Sequence, residues 1–106
     1  MKNKGPKNPF SNATRLLFME WHGFIKCFDC GRTDRGAELH HILKRVSASP
    51  LNAIPLCWKC HNAGDIHRSE RQRKYLKRTF NYLQKIKYIF TIRDEKFLDR
   101  YMNLYA

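Results

Sequence analysis

Two short cysteine pairs constrain this chain more than any other feature. Cys27 and Cys30 form one C-x2-C unit, Cys57 and Cys60 form another, and 26 residues lie between them. Each unit turns two sulfurs toward one point, so together they supply the four soft ligands that a tetrahedral zinc ion takes. The alternative use of four cysteines is a pair of disulfides, which need an oxidising compartment. The opening run "MKNKGPKNP" is basic and polar, without the apolar stretch or cleavage site of a signal peptide. Nothing in the sequence approaches the length of a membrane span. A reducing, cytoplasmic setting is therefore expected, with zinc on four thiolates. Such an ion has no open position for a substrate, so its role is structural. Metal suits the size too, because a chain of 106 residues exposes much of its surface and gains from a cross-link.

Length favours one domain. Residues 1–10 read as a flexible basic arm, and residues 11–106 as a single domain with its zinc core at about 27–67 and a basic helical extension at about 69–106. Ser11 or Asn12 is positioned to cap a helix reaching about His22 and stopping at Gly23. Ala37 to Leu43 reads as a strand, and Ala53 to Leu56 as a second extended piece. A short helix follows from Trp58 or Lys59 and carries His61. Leu76, Phe80 and Leu83 recur at helical spacing, which predicts a helix from about Ser69 to near Tyr88. Asp94 is expected to cap a last helix holding Phe97, Tyr101 and Leu104. The fold class is a small zinc-stabilised α/β domain with flanking N-terminal and C-terminal helices.

Charge speaks to partners. Lys and Arg number 21 against 9 Asp and Glu, a net of +12, and nucleic acid is the first candidate for such a surface, ahead of an anionic membrane or an acidic protein. Arg68, Arg71, Lys74, Arg78 and Lys85 lie in the densest positive run, and Lys44 and Arg45 fall in the loop between the strands. Cations of this kind bind phosphates and position a duplex while conferring little sequence preference. Aromatic residues of the C-terminal third read mainly as core, with a dimer contact or stacking on unpaired bases as other uses. Monomer and homodimer both stay open.

The run "ELHHILKR" sets His40 beside His41, and His61 directly follows Cys60. A zinc that clamps both segments would hold imidazoles from each, a candidate cradle for a second, catalytic metal. With "CFDC" before and "NAIPLCWKCHN" after, the chain resembles the zinc-stabilised branch of the HNH endonucleases, including small members from phages. The likeness spans about Cys27 to His67. It implies a ββα-metal core (His-Me finger, treble-clef-like) and metal-dependent hydrolysis of DNA phosphodiesters. By the same resemblance, His41 would be the general base and His40 and His61 metal ligands. Asn52 would bond to the backbone near His41 and fix the loop. Asp65 would be a third ligand, with His67 its rival. A cradle of that composition would take Mg²⁺ weakly and Mn²⁺, Ni²⁺ or Zn²⁺ more readily. One geometric condition attaches to this reading. Adjacent residues of a regular strand face opposite ways, so both histidines meet one ion only if the strand ends, twists or bulges there. Otherwise the chain reads as a non-catalytic, zinc-stabilised DNA- or RNA-binding module. A treble-clef-like protein-interaction domain would leave the charge without a use.

Overall fold

A computed structural model describes residues 8–19, 25–33, 36–62 and 69–105. Its centre is a two-stranded antiparallel hairpin, β1 (Glu38–His41) and β2 (Ala53–Leu56). The register pairs His41 with Ala53, His40 with Ile54, Leu39 with Pro55 and Glu38 with Leu56. All four residues of β2 are buried, as an unbroken apolar run requires when both faces of a strand are covered. Pro55 donates nothing to a ladder, but its carbonyl accepts from the Phe28 backbone N–H at 2.8 Å. That bond lays the first cysteine turn against β2. A 3₁₀ turn at Pro50–Asn52 closes the connection, with Ser49 as its cap.

Among the described residues, four α-helices flank the hairpin: α1 (Asn12–Leu17), α2 (Trp58–Asn62), α3 (Ser69–Lys85) and α4 (Ile92–Tyr101). Helix α1 is capped by Ser11, whose hydroxyl accepts from the Thr14 N–H. It stops well before the expected His22, because Phe18 and Met19 donate back to the carbonyls of Arg15 and Leu16, three residues earlier, and Met19 then bridges Ile25. Such tightening ends a helix. His22 and Gly23 lie outside the described residues.

Helix α3 packs on the hairpin through Tyr75, Leu76, Thr79 and Leu83. Two polar side chains fix its height. Thr79 Oγ1 donates to the Ala53 carbonyl at 2.7 Å, and Gln72 Nε2 donates to the Ile42 carbonyl at 3.3 Å. Lys87, at φ 61°, turns the chain out of the helix. Thr91, not Asp94, caps α4, while Asp94 completes a capping box from the third helical position. Core and hairpin therefore follow the expected order. The result is a small domain with a two-stranded sheet, flanking helices and a four-cysteine cluster, broadly consistent with the ββα-metal arrangement.

Candidate metal centre and histidine cluster

The first cysteine turn begins beside β1 and β2, and the second joins β2 to α2. In the first, the Gly31 N–H donates to the Cys27 carbonyl at 2.9 Å, and the Cys30 N–H approaches Cys27 Sγ at 3.5 Å. Gly31 has φ 79°, in the left-handed region where a side chain is strained. In the second turn, the His61 N–H donates to the Cys57 carbonyl at 2.9 Å. All four sulfurs lie within 4.8 Å of one another. Cys30 Sγ and Cys57 Sγ are 3.8 Å apart, too far for a disulfide. A zinc with bonds of about 2.3 Å sets its tetrahedral sulfurs about 3.8 Å apart, so the site fits a four-thiolate ion.

Backbone amides prepare the ligands. The N–H of Cys60 pulls the Cys57 thiol down to about 6, against the effect of burial. Burial opposes the Cys27 thiolate, yet amides of Cys30, Cys57 and Asp29 outweigh it and hold that thiol below its ordinary value. Burial and its sulfur neighbours push the Cys60 thiol up.

The histidines separate. β1 is regular through His41, so the strand alternation holds and the two rings leave opposite faces. His40 stacks on His61 with centroids 4.0 Å apart and planes 10° from parallel. Burial, then the neighbouring His61, lowers His40 to about 4, which keeps it neutral at physiological pH. His41 instead stacks on Phe10 at 4.1 Å, and its Nε2 lies 2.8 Å from the Asn8 carbonyl oxygen. A carbonyl only accepts, so Nε2 carries the proton and donates.

Asn52, fully buried, ties the connecting loop together. Its Oδ1 accepts from the Leu43 N–H at 2.8 Å, and its Nδ2 donates to the carbonyls of Lys44 and Ser47, each at 3.0 Å. Asn52→Ala should lower stability by about 2–3 kcal/mol, since it leaves a buried N–H and two carbonyls without partners. Urea denaturation would check this, and a loss below about 1 kcal/mol would show that water replaces the amide.

The family model described as HNH endonuclease matches residues 27–64, just over a third of the chain. Residues 27–64 carry an HNH-type domain. No curated protein and no solved structure matches the chain. The HNH-type domain holds its four cysteines together, consistent with the zinc-stabilised nucleases of small mobile elements.

Its histidines do not assemble the hydrolytic site that the resemblance implied. Among the described residues, the group that could hold a metal ion is Cys27, Cys30, Cys57 and Cys60. Imidazole lone pairs lie in the ring plane, so the parallel rings of His40 and His61 send theirs side by side and not onto one ion. His41 faces away and spends its Nε2 proton on Asn8, so that nitrogen cannot accept a proton from water. The assignment of His41 as general base, with His40 and His61 holding a catalytic divalent ion, is therefore corrected. The expected third ligand, Asp65, and its rival His67 lie outside the described residues, as does Arg68.

The basic residues divide between two tasks. Arg71 and Lys74 lie against Asp29 of the first cysteine turn, at 3.3 and 3.6 Å, and Tyr75 donates its hydroxyl to the same carboxylate at 2.8 Å. Arg71 also reaches the Cys60 carbonyl at 3.3 Å. This cluster fastens α3 to both cysteine turns. Burial works against the Asp29 charge, but Tyr75, Lys74 and Arg71 hold its carboxyl below the usual range. Lys44, Arg45, Arg78 and Lys85 are exposed. Sequence reasoning missed Asp29, although it is the one acid between the two cysteines of its turn and faces the most basic helix.

Proposed function

We propose that this chain is a non-catalytic nucleic-acid-binding module, built on an HNH-type domain and stabilised by zinc. The observation that carries the reading is the division of ligand chemistry: four sulfurs converge on one point while the histidines of the motif are stacked or hydrogen-bonded within the fold. The pairs of cysteines on either side of a hairpin, with a short helix after the second, have the order of a treble-clef-like module. Such a centre organises a scaffold, and a net charge of +12 gives that scaffold a use. Exposed cations neutralise phosphates and release counterions, an interaction that carries little sequence information.

Fluorescence anisotropy with labelled DNA and RNA, titrated across salt concentrations, tests the proposal. The affinity should fall linearly with salt on logarithmic axes, with a slope of about −0.9 per phosphate contacted on duplex DNA. Plasmid incubated with Mg²⁺ or Mn²⁺ should show no cleavage beyond that of His41→Ala. The reading is overturned by the absence of salt-dependent binding to any of these polymers. Metal-dependent cleavage that vanishes in His41→Ala would overturn it equally.

A further inference from the structure

A cleft of about 530 Å³ opens between the first cysteine turn and the outer side of α3. Lys26, Arg78 and Lys85 line it, over a floor that includes Phe28, Tyr82 and Met19. No carboxylate lines it among the described residues; Glu20 lies outside them. That balance differs from the Asp29 cluster, where each cation near the cysteine turn faces an acid.

The cleft is also shaped. Arg78 sits with its guanidinium carbon 5.3 Å from the Phe28 ring centroid, held against an aromatic face with no acid pairing it among the described residues. Phe28 meets Tyr82 edge to face at 5.0 Å, and Tyr82 stacks on Phe18 at 5.3 Å. The Tyr82 hydroxyl donates to the Leu17 carbonyl, which anchors the ring from behind. The volume falls within the roughly 300–1,000 Å³ typical of sites for small organic ligands, enough for a nucleotide.

We propose that this cleft seats one strand of nucleic acid, its phosphates on Lys26, Arg78 and Lys85 and an unpaired base against the half-buried Tyr82 ring and exposed Met19, the Phe28 ring being buried beneath Arg78. The assignment rests on the nucleic-acid-binding reading and adds a substrate preference to it. Charge complementarity selects a polyanion, and the aromatic floor beneath the cations selects a strand whose bases are free to unstack. Basic grooves with aromatic platforms bind single strands in this manner. A duplex keeps its bases paired inside and would use only the cationic rim.

The decisive experiment measures anisotropy of a labelled 20-nucleotide single strand and of the matching duplex, with the full chain loaded with zinc. Lys26→Gln, Arg78→Gln and Lys85→Gln are combined in one variant. A second variant removes as many charges elsewhere, through Arg73→Gln, Lys96→Gln and Arg100→Gln. The cleft variant should weaken single-strand binding on the order of ten- to a hundred-fold and flatten its salt slope by about 2, at about 0.7 per lost contact. Duplex binding should fall only as far as it does in the second variant. Melting temperature and zinc content of both variants should match the parent, so that altered affinity reports the surface and not the fold. Equal losses from the two variants, or equal losses on strand and duplex, would overturn the cleft assignment while leaving the module reading in place. A parent chain that binds neither polymer overturns both.

Discussion

Stripping the metal from the four-thiolate centre should unfold the chain outright. Structural zinc sites contribute about 10–16 kcal/mol of apparent binding free energy near neutral pH. A domain of this size has a net stability of only about 5–15 kcal/mol. A bound ion would also cross-link the two turns directly. The turn at Cys27–Cys30 otherwise leans on β2 through the Phe28 to Pro55 bond, the turn at Cys57–Cys60 starts α2, and α3 touches both through the Arg71 contacts with Asp29 and the Cys60 carbonyl. Without the cation, thiolates whose sulfurs approach to 3.8 Å repel one another or take up protons. Cys57→Ser should behave similarly, since three sulfurs and a weakly acidic hydroxyl no longer satisfy a soft ion. Elemental analysis should give one zinc per folded chain, and circular dichroism with a strong chelator should show loss of the cooperative melt. A metal-free chain that melts at the parent's temperature would remove the zinc from the account of this fold.

The same centre shows why some of the structure was readable in advance. Cysteine spacing, the apolar run Ala53–Leu56 and the stripe Leu76–Phe80–Leu83 are local patterns with one geometric meaning each, and the folded chain uses all three. The histidine pair had two meanings. Strand alternation argued that His40 and His41 face opposite ways, the resemblance argued that they converge, and alternation prevailed because β1 stays paired through His41. What decides their surroundings is non-local. His41 meets Asn8 and Phe10, and His40 meets His61, across separations no window of sequence spans. The basic run shows the same limit. Helical periodicity puts Arg71, Lys74, Arg78 and Lys85 near one face, but only the fold reveals that Asp29 engages the first two and that Lys26 joins the others. In the sequence Asp94 reads as a helix cap, and in the fold it completes the capping box from the third helical position. Its distant partners make it more than that.

Asp94→Ala should accordingly cost far more than a cap, about 3–5 kcal/mol. The residue is fully buried, and its carboxylate gathers three segments. Oδ1 accepts from the Ser49 hydroxyl at 2.6 Å, which caps the turn before β2. Oδ2 accepts from the Tyr88 hydroxyl at 2.6 Å and from the Thr91 N–H at 3.0 Å. Arg93 Nε adds a bond to Oδ1 at 3.2 Å, from a side chain about half exposed. Removing the carboxylate strands two hydroxyls and an amide that no water replaces easily. Asn should be less damaging than Ala, because it can still accept from Thr91 N–H, although its NH₂ must then face donors. Arg93→Ala should cost under about 1 kcal/mol, as exposed ion pairs do. Acid should have the same effect as mutation. Burial opposes the Asp94 charge, but Ser49, Thr91, Tyr88 and Arg93 more than offset it and hold the carboxyl below its ordinary value. The unfolded chain therefore binds the proton more readily than the folded one. The contribution is present in full above the usual carboxylate range and is lost as pH drops through about 4 toward the depressed value. Acid protonates the zinc thiolates as well, so the comparison is made at about pH 5 and above. There, denaturation of zinc-loaded parent and Asp94→Asn should give a gap that stays constant from about pH 8 to about pH 5, the carboxylate being ionised throughout. A gap that narrows within that range would mean that the Asp94 carboxyl is not held below its ordinary value.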